Sequence, residues 1–260
     1  MSKVYIHICI IFVILVSFLS CSSPTPQQAL QETFQEDIYI ITALRSEELH
    51  DPKTASHLYT KLFDLTGKEE YRYKALINTI EYELYTKKYL QALQRIQQIE
   101  ATKKLEDKLV RFKIVALAGI GKMRKAEQLA LELVKKTQYV DDYILVSSIY
   151  VEEKKFDKAL QYLESGYIKE YDEKLLDKMV IILYVNLHRK KDAIAQLETH
   201  IRIRGCSELL CKRLVGFYSD ENNVDGLLTT YKKMYEERYD KQIAKKLFNS
   251  MVIHKSMINF

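Results

Sequence analysis

The chain has 260 residues, of which 47% are hydrophobic and 29% charged, and its net charge at neutral pH is +5. This composition excludes a disordered protein. The positive charge is spread along the sequence in short clusters at expected helix ends and loops, so it does not indicate nucleic-acid binding. Three prolines, none of them after Pro52, and seven glycines leave most of the chain without helix breakers. We therefore expect an all-α fold.

Residues 1–20 have the features of a secretory signal. An almost wholly apolar run from Val4 to Leu19 follows a short positive start, and it is shorter than the roughly 20 residues that span a membrane. The run ends at Cys21, and the junction resembles a bacterial lipoprotein signal. That resemblance implies that Cys21 carries acyl chains and becomes the N-terminus of a protein anchored in the bacterial envelope. The alternative is an uncleaved N-terminal anchor with an ordinary cysteine.

The residues after Cys21 bear on the membrane and on the start of the fold. Ser22 stands where lipoproteins of the outer membrane carry serine, so the resemblance implies the outer membrane, with the protein facing the periplasm. Thr25 and Pro26 have the residue types of a helix N-cap and a first helical position. We therefore interpret residues 21–38 as a lipidated N-terminus, a short tether and the start of the first helix.

One residue position then recurs every 34 or 33 residues, as Leu58, Ala92, Ala126, Ala159, Ala193 and Leu227. A fixed period of this size indicates stacked supersecondary units. In the unit around Ala159, apolar residues at i, i+3, i+4 and i+7 form one stripe on each of two helices. The period predicts six units, at 39–72, 73–106, 107–139, 140–173, 174–207 and 208–240. Residues 241–260 are predicted to form a capping helix and tail over the last apolar face.

These units resemble the tetratricopeptide repeat, a helix–turn–helix motif with large residues at positions 4, 7 and 11 and small ones at 8 and 20. The recurring residue takes position 20, where helices approach closely. The resemblance spans roughly residues 39–240, although tryptophan is absent and no unit ends with the usual proline. It implies a right-handed superhelical solenoid whose concave surface is lined by the first helix of each unit.

The same resemblance implies a binding groove on that concave surface. The residues at groove positions on three of the first helices are Lys74, Ile77, Asn78, Lys108, Arg111 and Ile144. Their basic and apolar side chains suit an extended acidic segment or the C-terminus of a protein partner. The alternative is a solvated polar face without a partner.

Cys206 and Cys211 remain after the signal and the lipidation site. Ser207 has the residue type of a helix N-cap, which places Cys206 at N′ and Cys211 at N4, two positions that touch in a hydrophobic staple. A disulfide would replace that contact in an oxidising compartment. The alternative is a buried thiol at Cys211, which occupies an ordinary core position of its unit.

Catalytic and metal-binding patterns are not legible in the sequence. The histidines are scattered without paired ligand spacing, and Gly119–Lys122 lacks the strand and the Ser or Thr of a phosphate loop, so we interpret it as a helix stop. We therefore expect neither a cofactor nor a metal, and no enzyme activity.

The repeats and the lipid signal together resemble type IV pilus pilotins and, less closely, the repeat lipoprotein of the outer-membrane protein assembly machine. That resemblance implies a non-catalytic scaffold that helps to assemble or place an envelope complex, with envelope proteins as partners. An adaptor that recruits or regulates a cell-wall enzyme is the alternative, and catalysis by the chain itself is the third hypothesis. Fold alone does not decide among them.

Overall fold

The computed structural model describes the backbone of residues 26–238 and 241–258, with side chains for residues 34–237 and 242–252. Every regular element in these residues is helical, which confirms the all-α prediction. The thirteen helices of this described part are α1 (Pro26–Glu48), α2 (Pro52–Thr66), α3 (Glu69–Tyr85), α4 (Tyr89–Glu100), α5 (Asp107–Gly119), α6 (Met123–Thr137), α7 (Val140–Glu152), α8 (Phe156–Glu170), α9 (Glu173–Ile181), α10 (Lys190–Arg204), α11 (Glu208–Asp220), α12 (Val224–Arg238) and α13 (Lys241–Ile258).

The chain forms two compact units that divide between Ala92 and Leu93. The first unit holds α1, α2, α3 and the start of α4, and the second holds the remainder. The division falls inside the second predicted repeat, 73–106. Each unit has its own buried core.

In the first unit α2 packs against both α1 and α3. Small and large apolar side chains interlock in its core, which includes Ala43, Ala55, Leu58, Tyr59, Leu62, Tyr71 and Ala75. Polar side chains also join the helices, because Glu47 on α1 accepts hydrogen bonds from Asn78 on α3 at 2.8 Å and from the hydroxyl of Tyr59 on α2 at 3.3 Å. The three helices are therefore fixed by apolar packing and by shared hydrogen bonds.

In the second unit each helix from α5 to α12 packs against the next one. The first helices of the pairs (α5, α7, α9 and α11) also contact one another in order. We refer to α6, α8, α10 and α12 as the second helices. This arrangement of first helices in one layer and second helices in another is the packing of a helix–turn–helix array.

The recurring alanines are all buried. Ala92, Ala126, Ala159 and Ala193 each have 0% exposed surface. A larger side chain at these positions would hold the packed helices apart. The 34-residue pattern therefore marks buried positions of the helices.

The turn after each first helix also repeats. The residues with positive φ at these turns, counting α1 and α3 as first helices, are His50, Lys87, Gly121, Lys154, His188 and Asn222. In the turn after α7, the amide of Lys155 donates to the carbonyl of Tyr150 at 2.8 Å, which satisfies a carbonyl at the helix end. Gly121 stands at the same turn position, so the interpretation of Gly119–Lys122 as a helix stop is confirmed.

One first helix departs from this pattern. α9 continues into a π-helical turn at Ile182–Asn186, and the closing bond runs from the amide of Arg189 to the carbonyl of Leu183 at 2.8 Å. That bond spans one residue more than the bond that closes α7. The helix therefore contains one additional residue, held in the wider turn.

The last helix, α13, packs against α12 and brings Ile243 against the core of the second unit. This contact agrees with a capping helix. Phe248 and Met251 follow Ile243 at helical spacing and belong to the apolar stripe of this helix in the sequence. They are 66% and 48% exposed, so the covered face is narrower than the sequence pattern indicated.

Candidate functional site

The predicted groove residues of the first unit have different roles in the structure. Lys74 is exposed, and its Nζ lies 5.2 Å from the centroid of the Tyr59 ring. Ile77 is half-buried. Asn78 is only 2% exposed, and its side-chain amide donates hydrogen bonds to Glu47 and to the backbone carbonyl of Lys74. Asn78 therefore joins helices, and only Lys74 and Ile77 present surface to a partner.

In the second unit Lys108 on α5 is exposed and Ile144 on α7 is half-buried. Arg111 on α5 lies between them in chain order, and its guanidinium pairs with the carboxylate of Asp142. Its Nε donates to Oδ1 of Asp142 at 2.6 Å, and its Nη2 donates to Oδ2 at 2.8 Å. These bonds also raise the pKa of Arg111. The sequence interpretation placed Arg111 in a groove and did not anticipate this pair.

Asp142 is the centre of a buried polar cluster that connects three helices. Its side chain is 1% exposed, and it also accepts a hydrogen bond from the hydroxyl of Thr137 at the end of α6. A buried carboxylate is tolerated only when it is paired and hydrogen-bonded. The guanidinium of Arg111 and the hydroxyl of Thr137 meet that requirement and thereby fix α5, α6 and α7 to one another.

A second pair of the same type joins α9 to α11. Arg213 Nε donates to Oδ1 of Asp177 at 2.7 Å, and Arg213 Nη2 donates to Oδ2 at 3.2 Å. The side chain of Asp177 is 8% exposed, while that of Arg213 is 36% exposed. The 34-residue period places Asp177 at an apolar position of the unit 174–207. Because α9 starts one residue earlier, at Glu173, Asp177 corresponds to Arg111 of α5, and its pairing with Arg213 explains how this place on the helix accepts a charge.

The two cysteines of the second unit lie at the start of α11. They form a disulfide with Cα atoms 5.6 Å apart, and Ser207 accepts the capping hydrogen bond from the amide of Leu210 at 3.3 Å. The carboxylate of Glu237 on α12 also accepts from the amide of Cys206 at 3.0 Å. The start of α11 is thus tied to α12. Cys21, which the sequence predicts to be lipidated, lies outside the described residues.

An apolar depression in the second unit opens between the second helices α8 and α10. Its volume is about 600 Å³. Leu176 and Met179 of α9 are buried at its floor, whereas Ile168 on α8 and Ile203 on α10 stand at its rim with 60% and 71% of their surfaces exposed. We refer to it as the α8–α10 cleft. Large exposed aliphatic side chains around a concave surface are typical of a binding site.

The walls of the α8–α10 cleft carry a small set of polar groups. The Tyr167 hydroxyl hydrogen-bonds to Nδ1 of His200 at 2.7 Å, and the Nε2 of His200 lies 3.9 Å from a carboxylate oxygen of Glu173. Burial lowers the pKa of His200 below its ordinary value; Glu173 opposes this shift and Arg204 reinforces it. The wall of the cleft therefore disfavours the charged form of this histidine.

Arg204 closes one end of the cleft, where α10 ends. Its guanidinium lies 4.2 Å from the centroid of the Tyr171 ring, a distance that fits stacking of the two planar groups. Glu164 lines the cleft as well, an exposed carboxylate on α8. The cleft therefore combines an apolar centre with one cation and one anion.

Among the residues that the structure describes, His, Cys, Asp and Glu side chains form no group of three that could hold a metal ion. Within the same part of the chain, none of the helices has the length and apolarity to cross a membrane.

Sequence reasoning missed the α8–α10 cleft because it assigned binding to the first helices. A signal for the cleft was present in the second helices. Ile168 and Ile203 are large apolar residues that lie off the buried stripes containing Leu163 and Leu197. A large side chain that does not fit the core periodicity is the kind of residue that identifies an exposed apolar surface.

The sequence matches neither a protein-family model nor a curated protein. Among solved structures, PilF of Pseudomonas aeruginosa superposes with a TM-score of 0.50 over 84% of this chain and 99% of PilF, at 12% identity. TTC0263, a tetratricopeptide-repeat protein of Thermus thermophilus, gives a TM-score of 0.44 over 84% of this chain and 99% of its own, at 13% identity. The helix–turn–helix packing and the likeness to PilF show that the chain has a tetratricopeptide-like repeat fold.

Proposed function

We propose that this chain is a non-catalytic scaffold that is anchored by lipid to the bacterial outer membrane and binds a protein partner while an envelope complex is assembled or placed. The observation that carries the proposal is the α8–α10 cleft, with Ile168 and Ile203 exposed at its rim. Repeat proteins of this fold use their extended surfaces to bind other proteins. A concave site with an apolar floor and few polar groups suits an apolar segment of such a partner.

The anchoring part of the proposal rests on Cys21 and is supported by α1. This helix begins at Pro26, so a short tether would hold it within about 18 Å of a lipidated Cys21. Phe34, Ile38, Ile41 and Leu44 share one face of α1, and each is at least 44% exposed. An apolar helix face held this close to a bilayer suits contact with the boundary between headgroups and acyl chains.

A photocrosslinking amino acid at position 203 tests the scaffold in cells that produce the full chain. Leu49, which is 70% exposed against 71% for Ile203, is the matched control position. We expect an adduct from position 203, and not from position 49, with a component of an envelope assembly such as a secretin or a β-barrel. A cell-wall hydrolase at position 203 would instead support the adaptor hypothesis. The same adducts from both positions would contradict binding in the cleft.

Substitution Cys21→Ser tests the anchor separately. We expect the wild-type chain to take up a labelled fatty acid and to sediment with outer membranes, and the variant to do neither. A Cys21→Ser chain that still sediments with membranes would contradict lipid anchoring and would favour an uncleaved apolar N-terminus.

A further inference from the structure

The α8–α10 cleft contains a cation whose environment indicates what it binds. The guanidinium of Arg204 is supported on one side by the ring of Tyr171, with 4.2 Å between the guanidinium carbon and the ring centroid. Stacking of this kind occupies the face of the guanidinium and leaves the N–H groups on its edge free to donate. The stacking contact therefore holds the side chain in place and uses none of its N–H donors.

The charge of Arg204 is not matched by an ion pair within the described residues, whose salt bridges involve other cations. The nearby Glu173 carboxylate lies 3.9 Å from Nε2 of His200. The positive charge of Arg204 acts on the cleft wall. Burial raises the pKa of Tyr167 and Arg204 opposes that rise, whereas burial lowers the pKa of His200 and Arg204 adds to that fall. A carboxylate that entered the cleft beside Arg204 would meet this charge directly.

Apolar surface adjoins the cation. Ile203 precedes Arg204 in the chain and is 71% exposed, and the buried Leu176 and Met179 form the floor beneath. The cleft, at about 600 Å³, has room for one or two large side chains. A ligand that satisfies both features must carry an apolar side chain and a carboxylate close together.

We propose that the α8–α10 cleft binds a protein segment in which a large apolar residue is followed by a carboxylate, and that the edge of the Arg204 guanidinium holds that carboxylate through paired hydrogen bonds. This inference rests on the proposed function and specifies the partner's chemistry. A planar guanidinium and a carboxylate form two parallel bonds, which fix orientation as well as affinity. The carboxylate comes either from a C-terminus or from an acidic side chain.

Three fluorescein-labelled peptides that share a Leu-Leu pair test the inference. The first ends after the leucines in a free carboxylate, the second continues with Asp and is amidated, and the third carries Asn in place of Asp. Anisotropy is measured with the full chain in bilayer nanodiscs, and empty nanodiscs correct for binding to lipid. We expect at least one acidic peptide to bind about tenfold more tightly than the Asn peptide. The stronger of the two acidic peptides identifies the source of the carboxylate.

The matched variants are Arg204→Gln and Arg202→Gln, since Arg202 is exposed on the same helix but does not line the cleft. We expect Arg204→Gln to remove the preference for a carboxylate and Arg202→Gln to retain it. Equal binding of all three peptides, a preference that survives Arg204→Gln, or no binding by any peptide would overturn the inference. An adduct with an envelope protein from position 203 would support the scaffold even then, so the two proposals can fail separately.

Discussion

The first helices and the second helices of the second unit use their side chains in opposite ways. On the first helices, Arg111 pairs with Asp142 and Arg213 pairs with Asp177, so these charges bind neighbouring helices to each other. On the second helices, Ile168 and Ile203 are exposed around an open cleft. The charges of the first helices suggest a binding surface, but these charges stabilise the fold. The second helices, whose pattern suggests ordinary packing, provide the exposed apolar surface.

This difference follows from the physics of burial. An arginine beside a buried aspartate gains most of its interaction free energy within the protein, because the carboxylate has lost its contact with water. An exposed isoleucine has no such partner in the folded chain, so its apolar surface stays available.

The largest expected effect comes from removing an arginine of the first helices. Arg111→Ala leaves Asp142, 1% exposed, without its counter-ion, and we expect the free energy of unfolding to fall by about 3 kcal/mol. Urea denaturation followed by circular dichroism measures it. Arg213→Ala is the comparison, and since the Arg213 side chain is 36% exposed we expect a loss of about 1 kcal/mol. Equal small losses would show that Arg111 is a surface residue after all.

A glycine that joins the two layers gives the next effect. A Cβ on Gly166 of α8 would lie 2.8 Å from ring atoms of Tyr143 on α7, whereas a Cβ on Gly216 of α11 would meet no atom within 4 Å. We expect Gly166→Ala to lower the free energy of unfolding by about 2 kcal/mol through overpacking. Gly216→Ala should raise it by about 0.5 kcal/mol, because alanine favours helix. A change in the free energy of unfolding in the same direction for both variants would contradict this prediction.

The pH dependence of stability tests the buried histidine in the cleft wall. The pKa of His200 is lowered in the folded state from its ordinary value of 6.5. As the pH falls below about 6.5, the unfolded chain binds a proton at this position before the folded chain does, so the free energy of unfolding decreases. We expect His200→Gln to show a shallower decrease between pH 7 and pH 5. An unchanged slope would mean that the histidine is solvated.

The smallest effect concerns the turns that connect the layers. Lys154 adopts a φ of 58° at a position where Gly121 of the preceding pair has a φ of 78°. Since non-glycine residues are strained in this region, we expect Lys154→Gly to raise the free energy of unfolding by about 0.5 kcal/mol and Gly121→Ala to lower it by about 1 kcal/mol. Thermal denaturation measures both. A loss at Lys154→Gly would indicate that the lysine side chain contributes more than its backbone strain removes.

Periodicity made the helical array predictable. Ala126, Ala159 and Ala193 recur at nearly constant spacing because each must let two helices approach, and this requirement is visible in the sequence without any structure. The N-cap at Ser207 was predictable for a local reason, since its hydroxyl bonds to an amide three residues away.

The polar clusters and the cleft were not predictable in the same way. Arg111 and Asp142 are 31 residues apart, and each alone has the appearance of a surface charge. Their partnership depends on how α5 and α7 stack, which sequence pattern does not specify at the level of single side chains. Likewise, Ile203 adjoins Tyr171 and Met179 only after three helices have packed. The sequence of this chain therefore does not predict which side chains meet across repeats.

The π-helical turn at Ile182–Asn186 bears on how such arrays change in length during evolution. One additional residue enters α9, yet Val180 before the turn and Tyr184 within it are both buried. The helix thus tolerates a single-residue insertion by a local bulge, and the turn that follows at His188 keeps the conformation of the other turns. A comparison of the repeats that assumes one constant period would consequently misalign the first half of α9 with its counterparts, because α9 starts 33 residues after α7 whereas His188 follows Lys154 by 34.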